Sequence, residues 1–188
     1  MLSILEKLKE DLKKYGELYP AEKETVGRFL RLINVEDSEK TLTRTYFSDG
    51  HITTSALILN PGKTKMLLTH HKFLNLWLQL GGHFEKDPSL LDSAIRESKE
   101  ESGIDEILPL SSEFIDLDIH EIPPNLKKGE PAHYHYDIRF LLQAKSEGLV
   151  VSDESNDLKW VDISKEEKLF NYNIRRLIEK GIPSNIPL

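Results

Sequence analysis

The sequence predicts an α+β protein: a domain of interleaved strands and helices over residues 46–188, behind an N-terminal helical extension over residues 1–45. Three features predict it. Apolar residues recur at helical spacing near the N-terminus, the pattern changes to strands from His51 with strict two-residue alternation over Phe114–Ile122 and His133–Lys145, and helical segments bounded by Pro and Gly return between the later strands.

In the extension, Leu5, Leu8, Leu12 and Tyr15 share one stripe. After a break at Gly16 and Pro20, so do Val26, Phe29, Leu30 and Ile33. Such a pair must bury its stripes against the main domain or across a homodimer interface, and the stripes alone do not choose. Residues 35–50 are polar, end in Ser48-Asp49-Gly50 and read as a connection. His51–Asn60 and Met66–His70 read as strands joined by a Pro61-Gly62 turn; Asn75–Leu80 is a third, ending at a Gly81-Gly82 loop. Pro88–Ser102 reads as a helix. Asp87 can cap it, Pro88 suits its first position, where no N–H is needed, and Gly103 can end it in a left-handed conformation. Phe114–Ile122 and His133–Lys145 alternate and pair as a long-looped antiparallel hairpin. Leu158–Ile163 is a short strand around Trp160, and Asn173–Lys180 belongs to a last helix stopped by Gly181 and Pro183.

Composition narrows the function. With 25 Lys+Arg against 32 Asp+Glu the net charge is −7, which argues against nonspecific binding to nucleic acid or to an anionic membrane. The absence of Cys excludes disulfides, thiolate metal sites and thiol nucleophiles. No apolar run reaches the ~18–20 residues that span a bilayer. The N-terminus carries charges throughout, unlike the apolar core of a secretory signal, so the expected location is the cytoplasm.

The chemistry lies between Gly81 and Ile104. On a helix, Glu97, Glu100 and Glu101 are three and four residues apart and converge on one face, at the rim of the stripe formed by Leu91, Ala94 and Ile95. Like charges this close repel, and a divalent metal removes the cost. Hard oxygen donors suit Mg²⁺ or Mn²⁺, which act with phosphate substrates.

This segment resembles the Nudix box, G-x5-E-x7-R-E-U-x-E-E-x-G-U, where U is a bulky aliphatic residue. Seven of the nine specified positions agree: Gly82, Arg96, Glu97, Glu100, Glu101, Gly103 and Ile104. Pro88 stands where the family has its first glutamate, and Ser98 where it has an aliphatic residue. Pro88 removes a carboxylate that helps to hold the arginine, a role Asp87 or Glu100 can take. Ser98 costs packing rather than chemistry.

The resemblance implies a Nudix-like α/β/α sandwich around a mixed sheet. It implies a metal-dependent pyrophosphohydrolase, cleaving a nucleoside diphosphate linked to another moiety by attack of water on a phosphorus. Glu97, Glu100 and Glu101 are then the metal ligands, one carboxylate is the base, and Arg96 orients the glutamates. Gly81 and Gly82 let backbone approach the diphosphate or the metal. Many family members carry a further glutamate in a loop before the late strand, as base or extra ligand; Glu154 matches that place. The alternative is a catalytically silent Nudix-like module that binds a nucleotide as a regulator.

The hairpin offers a separate expectation. His133, His135, Asp137 and Arg139 share one face of their strand, opposite Asp116, Asp118 and His120 of the partner. If this face lines the substrate cleft, Arg139 or a histidine contacts phosphate, and His83 lies near the site. His120, His133 and His135 also form a possible Zn²⁺ set, although strand spacing alone is weak support for one.

Overall fold

The computed structural model describes residues 3–152, 155–165 and 170–182. Helix α1 (Ile4–Leu18) starts at Ser3, whose hydroxyl accepts from the Glu6 N–H while the Glu6 carboxylate accepts from the Ser3 N–H. This reciprocal cap satisfies two donors that a helix start otherwise leaves open. A short 3-10 turn at Pro20–Glu22 leads into helix α2 (Lys23–Leu32).

Eight strands are found among the described residues: β1 (His51–Leu59), β2 (Lys65–His71), β3 (Leu76–Leu78), β4 (Leu80–His83), β5 (Ile107–Pro109), β6 (Asp116–Ile122), β7 (His133–Ala144) and β8 (Ser155–Asp162). The path β3-β2-β1-β7-β5 forms one sheet, with β4 paired to β1, β6 to β7 and β8 to β2. Strands β1 and β7 are parallel and the remaining pairs antiparallel, so the sheet is mixed. Helix α3 (Leu90–Ser102) and helix α4 (Tyr172–Gly181) complete the fold.

Strand β1 is buried along its whole length because both faces are covered. Ile52, Ala56 and Ile58 point into one core with residues of α1, α2 and α3; Leu57 and Leu59 point into a second with Ile174 and Leu177 of α4. Helices on both faces of a mixed sheet give the expected sandwich.

The N-terminal stripes are spent within the chain. Leu5, Leu8, Leu12, Tyr15, Val26, Phe29, Leu32 and Ile33 share the first core with Ile138 and Phe140 of β7, and Phe29 meets Tyr136 edge-on at 5.2 Å. Lys180 of α4 adds a latch, donating to Tyr15, Glu22 and Asp116. No helix among the described residues is long and apolar enough to cross a membrane.

Several elements differ from the sequence reading: the expected strand Asn75–Leu80 is split at Gln79 into β3 and β4, and the connection over 35–50 holds a 3-10 helix at Ser38–Leu42. Gly81 and Gly82 lie inside strand β4 rather than in a loop, because β1 lies too close to admit a side chain at Gly81: a Cβ there would overlap Thr54 O and Ser55. Strand β5 was not foreseen, being too short to show a period. Helix α3 begins at Leu90 with Ser89 as its cap, Ser89 Oγ accepting from the Asp92 N–H at 3.1 Å; Asp87 is engaged elsewhere.

Candidate active site

Helix α3 presses its small-residue face onto β1. Ser93, Ala94, Ser98 and Ser102 are fully buried there. Their hydroxyls stay satisfied: Ser98 Oγ donates to Ala94 O at 2.6 Å, Ser102 Oγ to Ser98 O at 2.5 Å, and Thr54 Oγ1 of β1 donates to Ser93 Oγ at 3.1 Å. Ser98 therefore costs little; it lets the helix sit close to the strand. Gly103 ends the helix at φ 70°, and its missing Cβ leaves room for Val150.

The close approach positions the acidic face. Glu97 points back to β4, where a Cβ on Gly82 would lie 2.5 Å from its carboxyl carbon, so only glycine fits beneath it unmoved. Glu101, one turn on, is 7 % exposed, whereas the Glu100 side chain is 60 % exposed. Glu97 and Glu101 thus face inward and Glu100 outward.

Arg96 ties the group together. Its Nε and Nη2 donate to the two oxygens of Asp87 at 2.9 and 3.1 Å, Nη2 also to His83 O, and Nη1 to Glu97 and Glu100 at 3.0 Å each. The Asp87 hydrogen bonds, partly offset by burial, hold the guanidinium charged far above neutral pH. Asp87 and Glu100 together supply the support that Pro88 cannot.

The carboxylate oxygens of Glu97 and Glu101, withdrawn from solvent, suit a hard divalent cation; Arg96, a cation that cannot lose its proton, holds Glu97 and the outward-facing Glu100 from one side. Glu154 lies outside the described residues.

The hairpin face is buried rather than open. Arg139 is 2 % exposed and bound by three carboxylates: Nε donates to Asp137 at 2.9 Å, Nη1 to Asp116 at 3.1 Å and Nη2 to Asp118 at 2.8 Å. Arg176 of α4 donates to Asp116 and Asp118 from the other side. Burial alone would raise the Asp118 pKa, but the hydrogen bond from His120 and the two guanidinium charges hold it well below the usual carboxylate range. Against the expectation that Arg139 contacts phosphate, its guanidinium is buried among three carboxylates and serves their ion network.

The histidines are different. His83, His133 and His135 line a cavity of ≈ 470 Å³ together with Arg44, Lys72 and Lys128. His51, which the sequence reading passed over, lies against them, its ring 5.1 Å from His133 and 4.8 Å from His135. In β1, His51, Thr53 and Ser55 share the face toward Asp137, but the polar Thr54 between them leaves no alternation to mark it.

Fold and helix together define a Nudix domain. The NUDIX domain family matches residues 50–180. A probable DHNTP pyrophosphohydrolase of Lactococcus lactis is 30 % identical over 125 residues, covering 66 % of this chain and 73 % of that protein. The m7GpppN-mRNA hydrolase NUDT17 of Bos taurus is 37 % identical over 108 residues, 53 % of this chain but only 32 % of that longer protein. The crystal structure of a NUDIX-family hydrolase from Clostridium perfringens matches with a TM-score of 0.55 at 27 % identity, over 70 % of this chain and 93 % of that one. The chain belongs to the Nudix hydrolase family, enzymes that act on phosphoanhydride bonds.

Proposed function

We propose that the protein is a metal-dependent pyrophosphohydrolase that cleaves a nucleoside diphosphate linked to a further moiety, by attack of water on a phosphorus. The observation that carries this reading is the clamp of Arg96 on Glu97 and Glu100 above the Gly82 backbone. It keeps acidic side chains together where their mutual repulsion would separate them. Relatives named a pyrophosphohydrolase and an m7GpppN-mRNA hydrolase support a nucleotide-type substrate.

In this reading Glu97, Glu100 and Glu101 hold Mg²⁺, with Mn²⁺ as a substitute. Bound there, such an ion polarises phosphoryl oxygens and acidifies a coordinated water. The remaining work falls to the chain. A carboxylate of the trio, or Glu154, takes the proton of the attacking water. Arg96 is a positioning residue, its donors engaged by Asp87 and the glutamates. Gly81 and Gly82, with no side chains, let the diphosphate approach the β4 backbone. The cavity beside His83, His133 and His135 takes the far end of the substrate, and Arg44 and Lys128 on its wall favour negative charge.

The test is phosphate or pyrophosphate release with Mg²⁺ from dinucleotides, nucleotide sugars, nucleoside triphosphates and alcohol-linked diphosphates. Wild type is compared with Glu101→Gln. At least one substrate turns over, and the variant falls by about 10²-fold or more, the scale of losing one group that acts on developing charge. Equal rates for the two proteins contradict the ligand assignment. An inert wild type whose melting temperature rises with nucleotide contradicts the enzyme reading for this chain.

A further inference from the structure

On the sheet face turned away from α3, three imidazoles converge. Parallel pairing sets His51 of β1 opposite His135 of β7, and the two-residue alternation brings His133 to the same face. One ring nitrogen from each of the three lies within 4.8 Å of the other two. His133 Nε2 and His135 Nε2 are 3.3 Å apart.

Proton placement follows from the outer partners. His133 Nδ1 lies 2.7 Å from Pro131 O, and His51 Nδ1 lies 3.1 Å from Tyr46 O. A carbonyl oxygen only accepts, so Nδ1 carries the proton in both rings and Nε2 of the neutral ring presents a lone pair. His51 Nε2 is buried with no hydrogen-bond partner. Two Nε2 lone pairs are therefore available side by side; the 3.3 Å contact makes His135 Nε2 the donor to His133 Nε2, so the His135 ring passes its proton to Nδ1 when it ligates an ion. An imidazole held at Nδ1 by a carbonyl, with Nε2 turned inward, is the usual arrangement of a metal-ligating histidine.

The spacing agrees with this. Two zinc–nitrogen bonds of about 2.05 Å meeting at a tetrahedral angle place their nitrogens about 3.3 Å apart, the observed His133–His135 separation. No edge of the triangle exceeds 4.8 Å, so closure asks for a movement of at most about 1.5 Å.

We propose that His51, His133 and His135 form a second metal site, for a borderline divalent transition ion of the Zn²⁺ class, separate from the carboxylates of α3. The donor chemistry divides the two sites: imidazole nitrogens select Zn²⁺, Co²⁺ or Ni²⁺, and carboxylate oxygens select Mg²⁺ or Mn²⁺. Three protein ligands leave a fourth position open to water or to an anionic oxygen. Two of the three ligands, His133 and His135, also line the cavity with Arg44 and Lys128, which would bring such an oxygen to the ion. The site does not depend on the hydrolase reading, and its test reads binding alone.

The test is titration of the metal-stripped full chain with Co²⁺, followed by displacement with Zn²⁺. Wild type develops the intense visible bands of tetrahedral Co²⁺, saturating at one ion per chain. His51→Asn and His135→Asn each weaken binding at least tenfold with an unchanged circular dichroism spectrum, and Glu97→Gln keeps it. X-ray absorption of the Zn²⁺-loaded wild type, which needs no variant, shows an imidazole-dominated first shell. An absent or octahedral Co²⁺ spectrum, an oxygen-dominated shell, or loss of binding in Glu97→Gln but not in the histidine variants overturns the proposal.

Discussion

Adding one methyl group at Gly82 separates a catalytic role for the Glu97 contact from a structural one. An alanine Cβ there lies 2.5 Å from the Glu97 carboxyl carbon, where ordinary contact begins near 3.4 Å, so the carboxylate must retreat by about 0.9 Å. The obstructing atoms are the far end of a flexible side chain. The fold therefore survives, with a cost under about 1 kcal/mol and a melting temperature within about 3 °C of wild type. Chemistry does not tolerate the same shift: a misplacement of about 1 Å costs on the order of 10² in rate. Gly81→Ala is the control. Its Cβ would overlap the Thr54 carbonyl and Ser55, which are held in β1, so β4 must separate from β1 and the loss falls on stability, by several kcal/mol. The assays are kcat on the best substrate of the panel and thermal unfolding of both variants. Gly82→Ala turning over at the wild-type rate, or melting as low as Gly81→Ala, refutes the reasoning.

Two further predictions concern the buried ion network. Arg139→Met leaves Asp116, Asp118 and Asp137 without their shared cation and costs about 3–5 kcal/mol in urea unfolding; a loss under about 1 kcal/mol contradicts the network's structural role. Asp118, its folded pKa held below the usual aspartate value of 3.8, contributes stability that is complete above that pH and is lost as pH falls below it. The stability gap between wild type and Asp118→Asn therefore narrows on acidification below pH 3.8, and a gap independent of pH across that range contradicts the assignment.

The helices, the central strands and the acidic face of α3 were legible in the sequence because each is a local pattern. Leu5, Leu8 and Leu12 repeat at helical spacing, and Glu97, Glu100 and Glu101 sit within one turn. What was not legible depends on distant partners. The alternation of Asp137 and Arg139 was plain, but not their burial, because the charges that cover Asp116 come from Arg176 and Lys180 on α4. His51 joined the histidines only through the parallel pairing of β1 with β7, which no local signal encodes. The two glycines read as a turn because glycine most often marks one; here they mark close packing, a fact that belongs to Ser55 and Glu97 as much as to the glycines. Ser89 took the capping role expected of Asp87, which is bound instead to Arg96.

The central claim is that the α3 glutamates hold the hydrolytic cation. Its most direct test is an anomalous difference map from crystals soaked in Mn²⁺. The account predicts a peak at coordination distance from carboxylate oxygens of Glu97 and Glu101. A map in which those carboxylates hold no ion, with manganese bound elsewhere or nowhere, contradicts it.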